Sequence, residues 1–190
     1  MEPLAARTIL AIDVGHRELH AVEAVVERSR VTVVRVVHAR VDDEAEGEMR
    51  GQQVRAALDA AGVTASTAVW TLPRERVVFK RIDLPGAEAH ELPSMVRLAV
   101  QNETSMGADA ALDFVQLAAG PQPAGGKALW AVAAPKDELD SLERLAEAAH
   151  IGVERVAPRT CGTAALVTSD ASDITAPTKT VAASAAQRAK

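Results

Sequence analysis

Thr8-Ile9-Leu10-Ala11-Ile12-Asp13-Val14 is a nearly continuous apolar run closed by Gly15, and it limits the fold more than any other stretch. A strand with apolar side chains in both directions reads as one covered on both faces, hence as the interior of a sheet. Strand character resumes over Leu19–Glu27 and again over Val31–Val41. In the third strand strict alternation predicts Val31, Val33, Arg35 and Val37 on one face, with Thr32, Val34, Val36 and His38 on the other. The links Gly15-His16-Arg17 and Arg28-Ser29-Arg30 are too short for a crossover, so the three strands are predicted to be consecutive antiparallel hairpins. Val54, Leu58 and Ala61 then recur at helical spacing, and Gly62 sits where a helix ends. Thr67–Leu72 returns as a short strand beside the first three.

Three antiparallel strands, a helix and a parallel strand are the opening pattern of the ribonuclease-H-like sheet. After Pro73 the pattern changes. Val77–Leu84 reads as a strand stopped by Pro85-Gly86. Leu92, Met95, Val96, Ala99 and Val100 form the apolar face of a helix that tolerates Pro93 only in its first turn. Leu112–Ala118 and Lys127–Ala133 read as two strands joined by a linker over 120–126, which lacks the Lys-Ser/Thr ending of a phosphate loop. Leu139, Leu142, Leu145, Ala146 and Ala149 mark another helix from Lys136, followed by a strand over Val153–Val156 and a helix start over 163–167. From Ser169 large apolar residues nearly vanish, and that composition predicts a disordered tail. The expected organisation is therefore a first subdomain over 1–73, an inserted subdomain over 74–135, a return to the first over 136–168, and a tail over 169–190.

Composition narrows the function classes. The 190 residues are 48% hydrophobic and 25% charged, the balance of a globular chain. Four rings (Trp70, Phe79, Phe114 and Trp130) are the whole aromatic complement, so Ala and Val fill most of the interior and each position gains less from leaving water. A net charge of −5 opposes nucleic-acid binding. Arg74, Arg76, Lys80 and Arg81 read as a solvated strand edge. No apolar run is long enough to span a bilayer and no secretory leader is visible, which points to a cytoplasmic protein held at a membrane, if at all, by another protein. Cys161, the single cysteine, reads as a small buried residue. His16, His20, His38, His90 and His150 show no metal-ligand spacing, so no metal site is expected. Asp42-Asp43-Glu44 with Glu46 and Glu48 reads as a solvated loop and first helical turn rather than a calcium loop.

Asp13 before Gly15 is the sharpest chemical motif. An Asp ending a buried strand before a Gly turn occurs where backbone approaches an anion or a metal, and equally as a plain turn residue. An actin-like ATPase or sugar kinase would use it to hold hydrated magnesium. A nuclease on this sheet would use it with further carboxylates, of which Glu23 is the nearest strand candidate.

Taken in order, several segments resemble the actin-like PilM family of type IV pilus assembly proteins, related to the cytoplasmic part of the type II secretion L protein. They are Ala11–Gly15 with Ala21-Val22-Glu23, Leu72-Pro73, Val77–Pro85, Glu91-Leu92 with Arg97 and Asp113-Phe114, Ala131–Lys136, and Ala148–Ile151 leading to Val156. The resemblance covers residues 8 to 160. It implies a mixed α/β fold: the ribonuclease-H-like, actin-like N-terminal half, a mixed sheet with flanking helices and a small inserted α/β subdomain. It also implies a groove that takes the short cytoplasmic N-terminus of a membrane-anchored, PilN-like partner.

Departures from the family carry equal weight. Where the family has small hydroxyl residues and then Lys after the Gly, this chain has His16, Arg17, Glu18 and His20, and Glu18 would repel a phosphate. The second nucleotide-binding half has no counterpart in the chain. The implied function is a non-catalytic cytoplasmic scaffold, peripheral to the inner membrane through its partner, without a catalytic residue or cofactor. Asp13, Gly15, His16 and Arg17 would form a vestigial nucleotide and magnesium site. Val77, Phe79, Arg81, Met95, Val96 and Ala99 would contribute to the partner groove. ATP with magnesium stands as the alternative ligand, an ATPase or kinase-like phosphotransferase as the alternative activity, and a ribonuclease-H-like nuclease as the third. Self-association is a further expectation, and neither nucleic-acid binding nor membrane insertion is.

Overall fold

The computed structural model describes residues 6–28, 30–42, 45, 47–117 and 126–161, with the backbone of 174–175 and 180–183. In chain order the elements are β1 (Arg7–Val14), β2 (Glu18–Glu27), β3 (Arg30–Arg40), α1 (Gly47–Ala60), β4 (Thr67–Leu72), β5 (Val78–Leu84), α2 (Leu92–Glu103), β6 (Ala111–Gln116), β7 (Lys127–Ala134), α3 (Lys136–Ala148), β8 (Gly152–Pro158), β9 (Ile174–Thr175) and β10 (Thr180–Ala183). Two units result: Met1–Pro73 with Ser141–Lys190, and Arg74–Asp140. The second unit thus keeps the first turn of α3, which the sequence reading had assigned from 136 to the return. Arg76 donates to Glu138 there at 2.5 Å.

In the first unit β1, β2 and β3 form an antiparallel meander, while β4 pairs with β1 and β8 with β4 in parallel. One face of this sheet carries Leu10, Ile12, Leu19, Ala21, Val37, Ala39, Ala68, Trp70 and Leu72, all buried. Val54, Ala57 and Leu58 of α1 are buried as well, at helical spacing. Gly62 ends the α1 segment in the left-handed region, φ +73°. Its N–H donates to the Asp59 carbonyl at 2.9 Å, and the Val63 N–H donates to the Leu58 carbonyl at 3.0 Å. That pair of bonds satisfies the last helical carbonyls, and both Val63 and Leu58 are buried beside it.

The predicted alternation in β3 fails at one point. Glu27 pairs with Arg30 and Ala24 with Val33, but Glu23 pairs with Arg35, leaving Val34 as an extra residue. This bulge places Val31 and Val33 with the even-numbered positions of β2, and Arg35 and Val37 with the odd-numbered ones. Arg35 therefore joins the buried face, where it donates to Glu23, the buried carboxylate of that face at 4% exposure. A Cβ placed on Gly62 would lie 3.9 Å from Arg35 Nε, so the guanidinium also stands near the C-terminal end of α1, where a cation is favoured.

The tail expected over 169–190 is not wholly without structure. β9 pairs in parallel with β3 at Val31 and Thr32, and β10 pairs with it from Val36 to Ala39. An outer strand offers unpaired backbone groups, and a short segment joins them without needing large apolar side chains. The rest of that tail, the helix start over 163–167, residues 120–125 of the linker, and Asp43, Glu44 and Glu46 lie outside the described residues. Cys161 is exposed, not buried: it follows Arg159 and Thr160 in a helical turn beyond β8.

In the second unit the order is β5-β7-β6, all antiparallel. Ile82, Leu84, Leu129, Ala131 and Ala133 form one buried cluster with Leu92, Val96 and Val100 of α2. Pro93 stands in the first turn of α2, where its missing N–H costs nothing. The basic residues of this unit are paired rather than left as a bare edge. Arg74 stacks over the Phe79 ring at 5.1 Å, Lys80 meets Glu103 at 2.7 Å and Arg81 meets Asp83 at 3.2 Å.

Two substitutions test this packing by thermal or urea unfolding. A Cβ on Gly51 of α1 would meet the Ala148 Cβ of α3 at 2.3 Å and its backbone carbon at 2.8 Å. Gly51→Ala is therefore expected to lower stability by about 1–3 kcal/mol. His150 holds the position after α3 that glycine usually fills, at φ 53°, with the same two bonds: its N–H to Glu147 and the Ile151 N–H to Ala146. His150→Gly is expected to raise stability by about 1 kcal/mol, because the left-handed conformation costs glycine little.

Candidate functional site

Asp13 lies on the sheet face opposite the buried one, since its backbone pairs with His20 and its neighbour Ile12 points into the core. Its carboxylate accepts from the Thr71 hydroxyl on β4 and from Arg159 Nε at 3.0 Å. Thr71 reaches it because β4 runs parallel beside β1, and Arg159 because β8 runs parallel beside β4 and the chain turns at its end. One carboxylate oxygen of Asp13, Oδ1, thus takes both the hydroxyl and the guanidinium.

The hairpin after Asp13 is closed from within. The Gly15 N–H donates to the Glu18 carbonyl at 2.7 Å, and the Val41 N–H donates to the Arg17 carbonyl at 3.1 Å. Arg50, projecting from α1, donates to the Gly15 carbonyl and to the His16 carbonyl at 2.8 Å. A Cβ on Gly15 would stand 3.4 Å from the Glu18 carbonyl, an ordinary contact, so the turn admits residues other than glycine. The residues predicted as a vestigial nucleotide site therefore stand together, with the carboxylate and the hairpin carbonyls engaged by Arg159 and Arg50. Glu23, considered as a second acid for metal-dependent cleavage, lies on the buried face and is paired with Arg35, away from Asp13.

The predicted groove residues separate into two groups. Val96 is fully buried in the core of the second unit and Val77 is nearly fully buried; neither offers a contact surface. Met95 and Ala99 are partly buried against the same core. Phe79 and Arg81 lie on the other face of the three-stranded sheet. Arg81, Trp130 and Val115 stand in one row across β5, β7 and β6, and Phe79, Val132 and Asp113 in the next. Trp130 is 44% exposed and Val115 61%, so large apolar side chains stand open on this face among Arg81 and Asp113. Trp130 and Val115 were not anticipated; alternation along β6 and β7 was the signal that places them with Phe79.

One cluster was missed. His20 and His38 are directly paired across β2 and β3, and Glu18 follows two residues along on the same face. Their rings stack at 4.7 Å, and a nitrogen or oxygen from each of Glu18, His20 and His38 lies within 4.8 Å of the others. Spacing along the chain does not reveal this cluster, because strand pairing supplies the proximity. Had the ladder run unbroken from the Glu27–Arg30 pair, His20 would face Val37; the bulge at Val34 brings His38 opposite instead.

No protein-family model matches the chain, and no curated protein matches it significantly. Among solved structures it is similar to the PilM–PilN type IV pilus biogenesis complex, with a TM-score of 0.69 at 15% identity over 80% of this chain and 47% of that one. It is also similar to the cytoplasmic domain of EpsL, an inner membrane component of the type II secretion system of Vibrio cholerae, with a TM-score of 0.52 at 14% identity over 80% of this chain and 57% of that one. The chain thus spans about half the length of the solved structures it matches. The likeness shows the fold, a mixed α/β chain of the PilM and EpsL kind with a mixed sheet and flanking helices. No helix among the described residues is long and apolar enough to cross a membrane.

The Asp13 contacts predict a structural cost. Thr71→Val deletes a hydroxyl donor to a part-buried carboxylate and is expected to lower stability by about 1–2 kcal/mol in urea unfolding. Arg159→Ala, whose side chain is largely exposed, is expected to cost less than about 1 kcal/mol.

Proposed function

We infer that the chain is a non-catalytic scaffold of a type IV pilus or type II secretion-like assembly system, held at the inner membrane by a membrane-anchored partner whose cytoplasmic N-terminal peptide it binds. The fold likeness supports the system. The observation that carries peptide binding is the open face of the three-stranded sheet, with Phe79, Trp130 and Val115 on it and β5 as an edge strand beside it. An edge strand offers unpaired N–H and C=O groups to an extended peptide, and alternate side chains of that peptide would rest on the exposed face. Phe79 and Arg81 are the β5 residues that would meet them.

The non-catalytic part rests on Asp13. A carboxylate that holds hydrated magnesium in an ATPase or phosphotransferase turns its oxygens to the ion and its waters, and here Oδ1 is taken by Thr71 and Arg159. A nuclease reading would need a second acid beside Asp13, and Glu23 is on the other side of the sheet.

Trp130 gives the test its signal, since Trp70 is buried. A synthetic peptide matching the cytoplasmic N-terminus of the membrane protein encoded beside this one is expected to change Trp130 fluorescence saturably. Phe79→Ala is expected to weaken that binding by about fivefold or more, and Asp13→Ala to leave it unchanged. Binding untouched by Phe79→Ala, or a response that tracks self-association of the chain, would overturn the peptide site. Magnesium-dependent ATP turnover lost in Asp13→Ala would overturn the non-catalytic reading.

A further inference from the structure

We propose that Glu18, His20 and His38 form a surface site for a divalent transition metal of the zinc class. It goes beyond the scaffold reading and does not depend on it. The site is built by the ladder between β2 and β3. His20 and His38 are partners in register, and Glu18 lies one side-chain repeat along β2 on their face. Glu18 reaches both imidazoles, with one carboxylate oxygen 3.3 Å from His20 Nε2 and the other 3.9 Å from His38 Nε2. Tetrahedral zinc with bonds of about 2.0–2.2 Å holds neighbouring ligand atoms about 3.3–3.5 Å apart; the two carboxylate separations are near this, and the two imidazole nitrogens, within 4.8 Å in rings stacked at 4.7 Å, must draw closer.

Two imidazoles and one carboxylate form the donor set that suits zinc, and they leave a fourth position for water. Magnesium and calcium prefer all-oxygen shells and are disfavoured. The imidazole planes are now nearly parallel, 6° apart, whereas a shared metal must lie close to the plane of each ring. One ring must therefore turn about its Cβ–Cγ bond. Both side chains are half exposed, and that torsion is soft, so the backbone need not move. Two neighbours frame the site. Asp13 pairs with His20 from β1 but is engaged by Thr71 and Arg159, so it is not counted as a ligand. Arg40 stands opposite Glu18 and is the cation a bound metal would compete with.

The pairing is unlike an accidental surface cluster in one respect. It exists because the ladder leaves Val34 out as a bulge; with Val34 paired in an unbroken ladder, His38 would fall on the buried face and His20 would face Val37. The ligands are thus fixed by a two-strand ladder rather than by loops, which lowers the ordering cost of binding.

The experiment uses the full chain without a histidine tag, stripped by chelator. Zinc is titrated by calorimetry and cobalt by its visible absorption, with magnesium as the comparison ion. One equivalent of zinc or cobalt is expected to saturate the chain, and zinc is expected to raise the unfolding temperature. His20→Ala, His38→Ala and Glu18→Gln are each expected to weaken binding at least tenfold, while His90→Ala leaves it unchanged. Imidazole nitrogen resonances of the unmutated chain supply a second measurement that survives a variant failing to fold: those of His20 and His38 should shift with zinc. Absence of saturable zinc binding, binding retained by the His20→Ala/His38→Ala double variant, or shifts confined to other histidines would overturn the site. None of these outcomes bears on peptide binding, which is read with Phe79→Ala.

Discussion

The extra residue in β3 is the constraint from which most of the first unit's chemistry follows. Strand side chains alternate with a period of two, so adding one residue exchanges the faces of everything beyond it. From Val34 onward the bulge turns Arg35, Val37 and Ala39 toward the core and Val36 and His38 away from it. Val37 and Ala39 fit that choice. Glu23 on the same face does not, and a buried carboxylate without a partner would be costly, so the half-buried Arg35 directly across the ladder is its necessary complement. The ion pair is better understood as what makes the register tolerable than as a source of stability. Its position beside the end of α1 adds the favourable field of the helix C-terminus.

The same register sorts the polar groups. Asp13, His20 and His38 align across β1, β2 and β3, and Thr71 continues toward β4, all on the face opposite the core. At the Asp13 end the charges are consumed internally by Thr71 and Arg159, and Arg50 holds the hairpin. At the β3 end Glu18 and the two imidazoles have one another. One sheet face thus carries a carboxylate engaged through Oδ1 and, on the neighbouring strands, a donor set suited to a zinc-class cation. Glu18 and His20, just past the Gly15 turn, are what make this difference.

Local signals made the three hairpin strands, the helix ending at Gly62, the returning fourth strand and the strand, helix and hairpin of the second unit legible. Each depends on residues near one another in sequence: the run from Thr8, the short links, the glycine after Ala61, the face from Leu92 to Val100. What was illegible depended on pairing. Alternation in β3 is a sound rule that a bulge defeats, and no residue near Val34 announces one. Hence the histidine pair stayed hidden, although each histidine was noticed separately. Val77 and Val96 were correctly seen as apolar, but apolar periodicity does not distinguish a core face from a docking face. The strands at 174–175 and 180–183 are too short to stand out in the sequence and are defined by their pairing with the outer edge of β3.

Ring content gives the second unit its character. The chain has four aromatic side chains other than histidine, and the first unit uses Trp70 as its largest buried residue. The second unit holds the other three on a sheet of three strands covered by one helix. Phe114 packs against the core, whereas Phe79 and Trp130 lie on the uncovered face. An interior filled mostly with Val, Leu and Ala gains modestly per residue, so placing a tryptophan outside it forgoes the largest single burial available. Arg74 covers part of Phe79, and Arg81 stands across from Trp130, but neither is an apolar cover. A chain this sparing with rings leaves one of its two tryptophans on an open sheet face beside Val115, with an edge strand adjacent. That is the arrangement in which an added strand would bury aromatic surface and satisfy backbone groups in the same step.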